Sequence, residues 1–164
     1  MFGLTSLGVV HTAVSLIAVG AGIVAFIRYK KIAPDTSVGK IYIVTTLITV
    51  LTGFGIFQHG GFGKPHALGV ITLIVLGIAV LAGRTNMFGR AKSYVETISY
   101  SATFLFHMIP GVTETSTRLP PGAPLVASPE APELQVTTGV LFLLFLFGVA
   151  LQVLSTRKAG RLAG

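Results

Sequence analysis

Cysteine is absent from this 164-residue chain, and charge is scarce: Asp, Glu, Lys and Arg make up 10% of the residues against 52% hydrophobic. Without thiols there can be no disulfide, no thiolate metal site, no iron–sulfur cluster and no haem attached through Cys-x-x-Cys-His. The charged share falls far below the roughly 25% of a soluble domain, too little to cover a surface facing water. Acidic residues number only five. A carboxylate-bridged di-iron site, which wants several carboxylates and Glu-x-x-His on its helices, therefore finds little material. Neither Lys nor Arg occurs in residues 1–27, so the first apolar stretch lacks the basic lead of a secretory signal and reads as a retained helix. Nucleophilic triads, phosphate loops and paired intramembrane carboxylates are also missing, which argues against hydrolase and phosphoryl-transfer chemistry.

What the chain does contain is apolar length. Four runs, Leu4 to Ile27, Ile41 to Phe57, Ala67 to Ala82 and Val136 to Leu154, each approach the ~20 residues that cross a hydrocarbon core. A fifth, Ser93 to Ile109, carries Glu96, Thr97, Tyr100 and Thr103 and is less apolar. The expected architecture is an all-α, polytopic membrane protein, a single domain over 1–164 with about five transmembrane helices. Basic residues decide for five spans, because Lys and Arg collect in cytoplasmic loops. With the N-terminus outside, Arg28, Lys30, Lys31, Lys40, Arg84, Arg90, Lys92, Arg157, Lys158 and Arg161 fall on the inner side, and only Lys64 and Arg118 remain outside. Four spans would leave eight against four. Such clusters are topology signals and not a phosphate-binding groove, so no nucleic-acid partner is expected despite the formal charge of +7. The reading places the chain in a bacterial-type inner membrane, its C-terminus cytoplasmic and its partners the lipid bilayer, other membrane subunits or a second copy.

Residues 110–135 hold Pro110, Pro120, Pro121, Pro124, Pro129 and Pro132. That density is expected to exclude a long helix and to give an outer connector or an extended lid. Glycines inside the spans (Gly20, Gly22, Gly53, Gly55, Gly69, Gly77) suit close helix packing, since lipid gives no hydrophobic drive for association.

The four histidines all fall toward the outer side in this topology. His11 lies inside the first span, His59 ends the second, His66 opens the third, and His107 nears the outer end of the fourth. Ser93, Glu96, Tyr100, Thr103 and His107 recur every three or four residues and form one polar stripe, which must face protein and not lipid. Thr45, Thr49, Thr52, Ile56 and His59 repeat the spacing in the second span; His11 shares a face with Ser15, Ala18 and Gly22. Neutral imidazole ligates haem iron, copper and zinc, and a membrane supplies a dry shell around such a centre. The expectation is thus a haem b or a copper, zinc or iron centre near the outer face, held by two or more of His11, His59, His66 and His107, with His11 and His107 the preferred pair. The alternative is that His59 and His66 are interfacial helix ends, while His11 and His107 hydrogen-bond across the bundle. Glu96 follows Lys92 by one turn and reads either as an interfacial ion pair or as the start of a proton path through Tyr100 and Thr103 to His107.

Val38-Gly39-Lys40-Ile41-Tyr42 after a basic loop, with Phe106-His107-Met108-Ile109-Pro110 later, resembles a family of small bacterial inner-membrane proteins of unknown function with helix-end histidines. That family in turn loosely resembles b-type cytochrome bundles, and the likeness covers about the first two-thirds of the chain. Ser37-Val38 stands where many such proteins carry a His-Arg pair, which removes a ligand at that point. The functional expectation is a redox or electron-transfer protein with an outer-side centre. An accessory subunit of a larger membrane complex and a small transporter or proton-conducting protein are the alternatives.

Overall fold

The structure, a computed structural model, describes residues 5–56 and 61–162. These form five α-helices, α1 (Ser6–Tyr29), α2 (Ser37–Gly53), α3 (Lys64–Arg84), α4 (Lys92–Arg118) and α5 (Pro132–Leu162), with a short 3-10 turn at Gly89–Ala91 before α4. The helix starts follow their caps. Thr5 and Thr36 each accept, at 3.1 and 3.0 Å, the free N–H of Gly8 and Gly39, so α2 begins ahead of the apolar run at Ile41. Pro65 sits in the first turn of α3, where no N–H is needed. Lys30 ends α1 in the left-handed region at φ 61° and returns its N–H to the Phe26 carbonyl.

Helices α1 and α2 pack together, as do α2 and α3, α3 and α4, and α4 and α1, which closes a four-helix ring; the backbone of α5 approaches that of α4 and of no other helix. Backbones of α2 and α4 do not approach one another, so these two helices face each other across a diagonal. Small residues bring the neighbours close: Ala18, Ala25, Ala79 and Ala82 are fully buried. A Cβ at Gly22 would overlap the Phe104 ring of α4, whereas Gly20 and Gly77 have nothing within 4 Å. Only some of the span glycines therefore serve packing.

Three helices, α1, α3 and α5, are long and apolar enough to cross a membrane, and α2 is a shorter apolar helix of 17 residues. The most apolar stretch of α5 buries none of its residues within the molecule.

The proline-rich stretch departs from expectation. Helix α4 runs through Pro110 to Arg118 and α5 already starts at Pro132, so the connector shrinks to 119–131. One proline removes one hydrogen bond, and the turns beyond it are reinforced by an ion pair between Arg118 and Glu114 and by Thr113, Thr115 and Thr117 hydroxyls on carbonyls one turn back. Pro132 falls at a helix start, where proline fits. Because α4 is longer than the apolar run implied, His107 lies in the middle of its helix and not near its end.

Candidate functional site

The polar stripe of α4 faces the centre of the ring: Tyr100, Thr103 and His107 are 1%, 0% and 8% exposed. Opposite them, α2 turns Tyr42, Thr46 and Thr49 inward at intervals of four and three. The two stripes meet across the diagonal. His107 Nε2 lies 3.0 Å from Thr46 Oγ1, and the Tyr42 hydroxyl lies 2.8 Å from Thr103 Oγ1. The Tyr42 and His107 rings pack edge to face with centroids 6.1 Å apart. Together they occupy the space between α2 and α4.

The donors can be ordered. Thr103 gives its hydrogen to the Tyr100 carbonyl at 2.8 Å, so Tyr42 must donate to Thr103. The Thr46 hydroxyl, one turn along α2, is the next polar group of the seam. Thr46 Oγ1 shares one hydrogen bond with His107 Nε2, its donor set by the imidazole tautomer. With the Nε2–H tautomer of His107, donation can run from His107 to Thr46 and from Tyr42 through Thr103 to the Tyr100 carbonyl, with Thr46 and Tyr42 as neighbours on α2.

His11 joins α2 by a separate bond. Its Nδ1 is 3.0 Å from the Thr49 carbonyl and 3.1 Å from Thr52 Oγ1. A carbonyl only accepts, and Thr52 spends its own hydrogen on the Ile48 carbonyl, so Nδ1 carries the proton. In the neutral ring Nε2 keeps its lone pair. The imidazole lies flat against α2 at Gly53, where a Cβ would come within 3.2 Å of Cε1. Ser15, one turn along α1, reaches within 3.4 Å of Thr49 Oγ1.

His66 accepts the Gly63 N–H at the start of its own helix and stacks on Phe62 with centroids 5.3 Å apart. His59 lies outside the described residues. Glu96 makes no ion pair with Lys92; its carboxylate lies against Gly83 of α3, where a Cβ would collide with it. Tyr100 enters the seam through its backbone carbonyl and not its hydroxyl. Among the described residues no group of three or more His, Asp or Glu is gathered as for a metal ion.

Two residues of the seam, Thr46 and the Tyr42 hydroxyl, are absent from the stripe read off α2, which followed Thr45, Thr49 and Thr52. The signal that finds them is the set Tyr42, Thr46, Thr49 and Gly53, the same period shifted around the helix. Thr45 instead bonds the Ile41 carbonyl of its own helix.

Two cavities flank the ring. One of about 280 Å³ between α1 and α4 has His107, Leu16, Val19, Thr115 and Ser116 in its wall. A larger groove of about 1060 Å³ runs between α4 and α5 and carries no histidine. Comparison with protein-family models, curated proteins and solved structures finds no match.

Proposed function

We propose that this chain is an integral membrane protein of about five spans that conducts protons along the seam at the centre of its α1–α4 ring. The observation that carries the reading is the buried run of polar side chains His107, Thr46, Tyr42 and Thr103, built into the diagonal of a bundle whose core would ordinarily be apolar. An ionisable side chain at such depth is costly unless it is used. Imidazole can take a proton at Nδ1 while releasing one from Nε2, and each hydroxyl can accept on one side and donate on the other. The cavity of about 280 Å³ beside His107, with Thr115 and Ser116 in a mostly apolar wall, has room for water next to the imidazole. At the other end the Thr103 hydroxyl must turn away from the Tyr100 carbonyl to pass a proton on toward the region of Glu96. The basic ends of the helices set the orientation proposed here, with the N-terminus outside and the C-terminus in the cytoplasm of a bacterial-type cell.

Proteoliposomes loaded with a pH-sensitive dye and driven by a potassium diffusion potential test this directly. Flux above that of empty liposomes is expected, and it should be lost in Tyr42→Phe and His107→Phe. Wild-type flux equal to that of empty liposomes would overturn the reading.

A second reading rests on His11. A ring that donates Nδ1–H to a carbonyl is held as metal-bound imidazoles are, with Nε2 free to ligate. His11 and His107 would then hold a copper, zinc or iron ion, or a haem b if the Tyr42 ring yielded, for electron transfer. An absorption spectrum with metal analysis of the purified protein separates the two: bound metal lost in both His11→Ala and His107→Ala favours the second. Neither flux nor metal would leave the accessory-subunit role, for which the unburied length of α5 is the available surface.

A further inference from the structure

We infer that the groove between α4 and α5 is a binding site for an anionic phospholipid, acyl chain along the helices and phosphate at the basic end of the bundle. The inference rests on the reading of these helices as membrane spans. The backbone of α5 lies close to α4 and away from α1, and the gap it leaves is the groove of about 1060 Å³. Along most of its length the walls are apolar, with Phe104, Leu105, Met108, Leu144, Phe145 and Val149. Gly148 lowers one wall. Of the polar side chains within it, Ser101 and Gln152 bond to each other; the apolar stretch offers water no partners, and lipid chains are the material at hand to fill it.

Chemistry changes at one end. Lys30 and Lys31 from the end of α1 and Arg90 from the turn before α4 stand at the groove's mouth, with Ser93, Ser155 and Thr156 beside them. No carboxylate lines the groove. Glu96 of α4 is turned against Gly83 of α3, although its charge is felt at Lys31. Three cations and three hydroxyls at the top of a chain-shaped apolar slot match a phosphate on a diacyl tail, and basic pockets between membrane helices are known to hold such headgroups. Gln152 fixes the mouth: its amide donates to the Lys30 carbonyl at 3.0 Å and its oxygen accepts from Ser101 at 3.0 Å. The single bridge ties α5 to both α1 and α4 just where the headgroup would sit.

The full chain reconstituted with spin-labelled phosphatidylglycerol or phosphatidylcholine tests the site through the motionally restricted lipid fraction. Phosphatidylglycerol should be preferred by about fivefold or more, the equivalent of the ~1 kcal/mol that one basic residue near a headgroup contributes. The triple variant Lys30→Gln, Lys31→Gln, Arg90→Gln should remove the preference, whereas Arg157→Gln with Lys158→Gln should keep it. Gly148→Phe, which fills the slot, should release restricted lipid of both kinds. Equal binding of the two lipids, or a preference that survives the triple variant, would overturn the inference. Alkaline extraction of the same samples separates this failure from that of the span reading: a protein that washes off the vesicles has no spans and no such groove.

Discussion

The ring of α1 to α4 hides its polar groups at the centre and shows apolar side chains outside, whereas α5 has almost no inside at all. Tyr42, Thr46 and Thr103 are fully buried in the ring, while Leu143, Phe147 and Leu154 of α5 are 66%, 65% and 60% exposed. Both regions suit lipid, yet they are held by different means. Lipid tails are as apolar as leucine, so helices in a bilayer associate through close packing and hydrogen bonds. The ring has both, in Gly22 against Phe104 and in the diagonal seam. Helix α5 has its packing on α4 and the Gln152 bridge. The contrast teaches that hydropathy finds helices in such a chain but does not tell which of them belong to the core.

The contrast can be broken most severely at Gly22. Gly22→Leu drives a side chain into the Phe104 ring and should cost about 1–3 kcal/mol or more, read as a large fall in Tm in detergent. Gly20→Leu, two residues away with open space around it, should stay within about 0.5 kcal/mol. A smaller loss is expected in the seam. The coupling between Tyr42→Phe and Thr103→Val in a double-mutant cycle should be about 0.6–1.7 kcal/mol, the range found for hydrogen bonds between membrane helices; a coupling of zero would show that the two hydroxyls do not bond.

Gln152→Leu sharpens the comparison instead. Loss of its two bonds should leave the unfolding of the ring unchanged within about 0.5 kcal/mol, because α5 lies outside it. Amide exchange in α5 should rise nonetheless. If the ring melts together with α5, the two regions are one cooperative unit. The smallest effect is expected for Leu143→Ala on the open face of α5, within about 0.5 kcal/mol by the same thermal assay.

The existence of the helices was legible in the sequence, because runs such as Ala67 to Ala82 admit little else. Their ends were less so. Pro110 suggested a stop, but a single proline inside a threonine-rich helix with a Glu114–Arg118 pair is tolerated, and this moved His107 from an end to the middle. The inward face of α4 followed from its spacing, since an apolar helix can hide only one polar stripe. The partner face on α2 did not, because Thr45, Thr46, Thr49 and Thr52 spread over about a third of that helix's circumference and periodicity alone fits two registers. Tertiary contact with Thr103 and His107 selects Tyr42 and Thr46. The grouping of the histidines was the least legible: His66 serves its own helix start, and His11 and His107 each bond α2 at a different level, a distinction set by helix order around the ring.

Solid-state nitrogen NMR of histidine-labelled protein in bilayers tests the seam most directly. The account predicts that His11 carries its proton on Nδ1, held by the Thr49 carbonyl, and that His107 carries one on Nε2 within hydrogen-bond distance of the Thr46 hydroxyl. A His11 ring protonated on Nε2 alone, or a His107 Nε2 with no contact to Thr46, would contradict it.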